Sequence, residues 1–234
     1  MKVAFVGPSL PDACRFAGFD VEIRPPACQG DVMRAVADGA TAIGLIDGLF
    51  EYVAPVWHKE LLFALSSHIP VYGAASMGAL RAAECASFGM IGLGRIFEDY
   101  MSGRRVDDAD VALLHGPAEL NYLALTVPIV SVDSTLSRAR DDRLLSVSDC
   151  LQIARAARSL YFKDRSWKRI VQAAGMDWTT LSAIIETEWV DQKRLDALEL
   201  VEALNDPTPK APRNHAWNFN ATPLWRKMYP PGQN

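Results

Sequence analysis

The segment Gly73-Ala74-Ala75-Ser76-Met77-Gly78 sets one serine among small residues, after the apolar pair Val71-Tyr72 and before the helix-forming stretch Met77 to Ala86. A chain turning sharply from strand to helix needs small neighbours at the bend, and a serine there projects its hydroxyl over the sheet. The pattern is a loosened G-x-S-x-G elbow, with Ala74 in place of the first glycine. The N–H groups of Met77 and Gly78 would begin the helix with their hydrogens unused, aimed where an acyl oxyanion forms. Ser76 is therefore a candidate nucleophile for acyl transfer. The competing reading is an ordinary helix N-cap, a place that serine favours. Gly73-x4-Gly78 also has the spacing of a phosphate loop, but no Lys-Ser or Lys-Thr follows, so a nucleotide site is unsupported.

A serine hydroxyl needs a base before it attacks anything. Lys59, in Trp57-His58-Lys59-Glu60, qualifies if burial or a neighbouring cation leaves it neutral; otherwise it is a surface lysine. His115, in His115-Gly116-Pro117, is the alternative, set against a neutral core-edge histidine bonded to a backbone carbonyl. Spacing alone does not choose between them. Asp47-Gly48 reads either as a strand-ending turn or as a group that orients a base or binds substrate. Arg81 and Glu84 stand at i, i+3 and can pair on one helix face; alternatively Arg81 holds a carboxylate or a partner's C-terminus near the nucleophile.

Elements that would position these groups are visible in the patterning. Val3 to Val6, Ala42 to Ile46, Val71-Tyr72 and Val111 to Leu114 are short apolar runs that end in small or polar residues. As parallel strands their endings would line one crevice, since open parallel sheets bind ligands beyond the carboxyl ends of their strands. Helical spacing over Trp57 to Ser66 and Met77 to Ala86 supplies the alternation expected of an α/β core over 1–140, with a mainly parallel sheet and flanking helices. A further strand is expected at Ile129 to Val132. A smaller helical region follows over 141–205, with Ser148 and Asp149 capping a helix to about Phe162, Ser166 preceding another, and Asp177 preceding a longer one to about Asn205. Residues 206–234 form a proline- and aromatic-rich tail that cannot build a core and is either mobile or laid over another surface.

Composition excludes several classes. Half of the 234 residues are hydrophobic, and the net charge of −4 gives no global attraction for nucleic acid. A local basic run, Arg155, Arg158, Lys163, Arg165, Lys168 and Arg169, reads as a solvated face or as a surface for an acidic partner. The four cysteines show no metal-ligand spacing, so neither a metal site nor a disulfide framework is implied. No apolar run is long enough to span a bilayer, and a soluble, cytoplasmic protein is expected.

The stretch Gly73 to Glu84 resembles the signature of the TfuA-like family. Asp47-Gly48, Val56 to Leu62 and Ala112 to Glu119 resemble it too, in the family's order. The resemblance implies a partner of YcaO enzymes, which activate a peptide amide for replacement of its oxygen by sulfur. It implies hydrolysis of the C-terminal thiocarboxylate on a ThiS-type sulfur-carrier protein, releasing sulfide for peptide thioamidation of the kind seen in natural-product biosynthesis. No cofactor is implied. A hydrolase-like Ser–Lys pair of the family would fall on Ser76 and Lys59, which favours Lys59 as base, with His115 and Glu119 in support. A shorter similarity to Clp-type serine peptidases would instead join Ser76 to His115. A non-catalytic adaptor that stimulates its YcaO by contact is the reading from a different class.

Overall fold

The computed structural model describes residues 1–207 and 217–229. The strands β1 (Lys2–Phe5), β2 (Val21–Arg24), β3 (Ala42–Leu45), β4 (Val71–Gly73) and β5 (Ile91–Gly92) form one parallel sheet in the order β2-β1-β3-β4-β5. The helices in chain order are α1 (Asp31–Ala37), α2 (His58–Ser66), α3 (Met77–Cys85), α4 (Gly94–Met101), α5 (Ile129–Asp141), α6 (Val147–Ser159), α7 (Trp167–Ala173), α8 (Trp178–Glu188), α9 (Gln192–Asn205) and α10 (Pro223–Met228). The α/β class expected from the patterning is the one observed.

Strand residues point alternately to the two faces, and both faces are covered, so these strands carry continuous apolar runs. Val3, Phe5, Ile43, Leu45 and Val71 pack with residues of α1, α2 and α3. Ala4, Val6, Ala42, Ile46 and Tyr72 pack with Ala197, Leu200, Val201 and Leu204 of α9. A separate cluster joins α5, α6, α7 and α8 through Ile129, Val132, Leu136, Ile153, Ile170, Leu181 and Ile185. In the packing, α5 thus belongs with the helical cluster, while α9 returns to cover the sheet.

Several local expectations are corrected. Val111 to Leu114 is not a strand; it follows a 3-10 turn at Asp108–Asp110, opened by Asp107, whose side chain accepts from the Ala109 N–H. The acidic cluster before the run favours that turn, because Asp side chains bond nearby backbone. Ile129 to Val132 is the first turn of α5, and its apolar positions continue at Leu136 and Ala139 with helical spacing. The sheet is completed instead by the short edge strands β2 and β5. The cap of α6 is Ser146, in a reciprocal pair with Asp149, rather than Ser148. The long helix expected after Asp177 is two, because Asp191 opens a second by accepting from the Arg194 N–H.

The aromatic tail is laid over the protein's own surface across residues 217–229. Trp217 donates to the Phe88 carbonyl at 3.1 Å, Phe219 and Trp225 pack on Phe63, and Trp225 is buried. Pro209, Pro212, Pro230 and Pro231 lie outside the described residues. No helix among the described residues is long and apolar enough to cross a membrane.

Candidate active site

Since β1, β3 and β4 are parallel neighbours, the segments after them emerge together at the carboxyl edge of the sheet. Strand order reverses between β1 and β3, where such sheets ordinarily leave a ligand crevice. Here Asp47 fills it. One carboxylate oxygen accepts from the Gly7 N–H at 2.9 Å and the Ser9 N–H at 3.0 Å, and the other from the Ser9 hydroxyl at 2.7 Å. Lys193 on α9 is buried 4.0 Å from that second oxygen and donates to the Val111 carbonyl at 3.0 Å. Burial pushes its ammonium below the usual lysine range. Asp47 therefore ties loops together and is not available to a substrate.

Beside this closed point the surface opens into a cleft of about 430 Å³. Gly48, Phe50, Ser76, Met77, Leu80, Arg81 and Glu84 line it, with residues 107–112 and the segment from Arg158 to Arg165 contributing the opposite side. Ser76 reaches it through a tight turn. The Ser76 N–H donates to the Ala74 carbonyl at 2.8 Å across Ala75, whose φ is +65°. That is a γ-turn with a non-glycine residue in the left-handed region, a strained arrangement that packing must hold. Ala74 and Gly78 supply the hold, donating to the carbonyls of Leu45 and Ile46 at 3.2 and 3.1 Å. Gly78 lies so close to β3 that a Cβ there would sit 1.7 Å from the Leu45 oxygen. At Gly48 a Cβ would meet Met77 Sδ at 2.2 Å, a contact that the flexible methionine side chain would have to move to relieve.

The turn resolves two expectations. Ser76 does not cap α3, since no side-chain cap hydrogen bond forms, and its hydroxyl makes no hydrogen bond among the described residues. Of the two expected oxyanion donors, only the Met77 N–H is without a hydrogen bond among the described residues. The Gly78 N–H is spent on Ile46, because the close approach of α3 to β3 brings that carbonyl within reach. Gly48, across the cleft edge from Met77, also has an N–H without a hydrogen bond among the described residues.

Lys59 is not brought to Ser76. Its Nζ donates to Thr222 Oγ1 at 3.1 Å and stands 5.7 Å from the centre of the Phe219 ring. It lines a different groove with Trp57, Leu62, Phe88 and Trp217. The physical reason is its position on α2: the face carrying Lys59 and Phe63 receives the C-terminal segment. His115 is also outside the cleft, with Nδ1 donating to its neighbour Gly116's carbonyl at 2.7 Å and its ring against Tyr122. Glu119 is exposed on a 3-10 turn. Arg81 and Glu84 do line the cleft and pair at 2.7 Å, as their spacing allows, and His58 Nε2 reaches the same Glu84 oxygen at 2.7 Å. The bonds from His58 and Arg81 hold the Glu84 carboxyl below its ordinary range. Arg81 also donates from Nε to the Val56 carbonyl at 3.2 Å.

Phe50, Phe162 and Arg165 are among the cleft residues that sequence reasoning did not place there. Nothing in their local sequence connects them to Ser76, because they arrive from the loop after β3 and from beyond α6. A family model described as TfuA-like protein matches residues 47–166, a span that runs from the Asp47 loop to just past Arg165. No curated protein matches the chain.

Proposed function

The chain belongs to the TfuA-like family, which is associated with YcaO-type thioamidation, and from that premise we propose that it is a thiocarboxylate hydrolase with Ser76 as nucleophile. The substrate in this reading is the C-terminal thiocarboxylate of a ThiS-type sulfur-carrier protein, and the sulfide released serves a partner YcaO enzyme. One observation carries the reading: the Ser76 hydroxyl lines a cleft, at a strained turn, without a hydrogen bond to any described residue.

The Ser76 oxygen attacks the thiocarboxylate carbon, and the charge on its oxygen grows beside the N–H of Met77 at the start of α3. The carbon–sulfur bond then breaks. Sulfur departs as hydrosulfide, taking the serine proton, and leaves the carrier as an ester of Ser76. Water attacks the ester, releasing the carrier's carboxylate and a proton and restoring the hydroxyl. The sulfur of the tetrahedral adduct is itself the proton acceptor here, because Lys59 is bonded to Thr222 instead of Ser76.

The test is sulfide release from a thiocarboxylated carrier. Ser76→Ala is expected to fall to the rate of the carrier alone. A Ser76→Ala protein that releases sulfide at the wild-type rate overturns the hydrolase reading, and one that also still supports thioamidation by YcaO leaves a contact-only adaptor in its place.

A further inference from the structure

The basic run before α7 is not uniform. Arg155, Arg158, Lys168 and Arg169 are exposed, whereas Arg165 is 4% exposed. Its neighbours have carboxylate partners: Arg158 with Asp133 at 2.7 Å, Lys163 with Glu51 at 2.9 Å, and Arg169 with Asp164. Arg165 has none within ion-pair distance among the described residues. Its Nε and Nη2 donate to the Ala157 and Leu160 carbonyls at 3.2 and 3.3 Å, and its buried Nη1 has no acceptor among the described residues. A guanidinium keeps its charge at any working pH and carries five donors, so leaving it buried with neutral acceptors only is costly. Burial lowers its pKa, opposed only by the more distant Asp110 and Asp107.

Its position gives that cost a use. Arg165 lines the cleft that contains Ser76, and it also lines the adjoining cavity around Arg105 and Asp133. Of the arginines on the cleft, Arg81 is neutralised by Glu84 and Arg158 by Asp133. Arg165 is the cleft arginine that has no ion pair among the described residues. The cleft they share is also lined by Phe50, Met77, Leu80, Leu160 and Phe162, which suit an extended chain end, and by Asp107 and Asp108.

We infer that Arg165 is the anion-recognition residue of this cleft, and that it selects a chain terminus bearing a carboxylate or thiocarboxylate over a neutral one. This deepens the Ser76 reading and rests on it for the choice of ligand. Serine attack gathers the charge that the thiocarboxylate spreads over oxygen and sulfur onto the adduct's oxygen, because the sulfur takes the serine proton. A fixed cation in a cleft partly closed to water favours that adduct more than the reactant. Arg165 then raises affinity for the anionic terminus and, for the thiocarboxylate, accelerates the first step.

The experiment measures binding of a ThiS-type carrier with a C-terminal carboxylate, and of the same carrier with a C-terminal amide, to the Ser76→Ala protein. The carboxylate form is expected to bind at least about tenfold more tightly, a size consistent with a charge-assisted bond to a desolvated arginine. Arg165→Gln should erase the preference, and Arg165→Lys should keep part of it. Since Arg165 also ties the carbonyls of Ala157 and Leu160, Arg165→Gln is read only if its thermal melt matches the parent, and otherwise Arg165→Lys and the parent's own preference decide. Equal binding of both termini by the parent overturns the inference, as does a preference unaffected by either folded variant. A carboxylate preference that depends on Arg165, in a protein that releases no sulfide with Ser76 intact, keeps the inference and removes only the hydrolase reading.

Discussion

The Ser76 cleft and the Lys59 groove are assembled around neighbouring helices and end in opposite conditions. Lys59, near the start of α2, donates to Thr222 and faces Phe219, so its groove is walled by the chain's own C-terminal segment. Ser76, at the start of α3, lines a cleft of about 430 Å³, and among the described residues neither its hydroxyl has a hydrogen bond nor the cleft's Arg165 an ion pair. Polar groups packed by their own chain have their hydrogen bonds satisfied, whereas groups kept for another molecule do not. The lysine is thus bonded to its own chain, whereas the serine hydroxyl has no partner among the described residues.

Four measurements break or sharpen this contrast. The largest effect is expected from Ser76→Ala, which should lower sulfide release from a thiocarboxylated carrier by roughly 1,000-fold or more, as loss of a covalent nucleophile does. The melting temperature should barely move, because the hydroxyl bonds to no described residue. A large loss of stability would mean that Ser76 is structural after all.

Gly78→Ala comes next. Its added carbon would collide with the Leu45 backbone oxygen, which cannot swing aside as a side chain does. Overpacking of this kind costs typically 1–3 kcal/mol and occasionally more, and about 3 kcal/mol or outright misfolding is expected in chemical denaturation. Near-normal stability would show that α3 is free to lift from β3, and the rigid Ser76 turn would lose its basis.

On the opposite face of the sheet, α9 gives a pH-resolved counterpart. Asp196 accepts from the Ile96 N–H at 2.8 Å and from Gln192 at 2.7 Å, and burial raises its carboxyl from the ordinary 3.8 to about 6. The folded protein holds this proton more tightly than the unfolded chain. The associated stability is thus complete below pH 4 and is lost as pH rises through about 6, an effect of roughly 3 kcal/mol. Asp196→Asn should remove that part of the pH dependence in denaturation measured from pH 4 to 7.5. A variant with the unchanged slope would assign it elsewhere.

The smallest effect is expected from Lys59→Met, which loses one bond to Thr222. Sulfide release should remain within about threefold of wild type, and stability within about 1 kcal/mol. A loss as large as that of Ser76→Ala would reverse the contrast and restore Lys59 to the reaction.

Legibility in the sequence followed the range of the interaction. The α2 and α3 boundaries were readable from apolar spacing, and the small residues around Ser76 correctly marked a strand-to-helix turn. Ile129 to Val132 was misread because three apolar residues in four satisfy either period, and only Leu136 and Ala139 identify the helix. The β2 and β5 strands were missed because both are short edges whose pairing with the sheet, rather than their own pattern, makes them strands.

What could be read without the fold was local: the parallel α/β pattern, the strand-to-helix turn at Ser76, the i, i+3 spacing that lets Arg81 pair with Glu84, and the family to which these segments belong. Each depends on backbone sterics or on residues a few positions apart. The tertiary structure decided what those groups face. It turned Lys59 toward Thr222, spent the Gly78 N–H on Ile46, closed the crevice with Asp47 and buried Arg165 against the cleft. These outcomes depend on where distant segments come to rest when both faces of the sheet are covered, and no spacing along the chain encodes them.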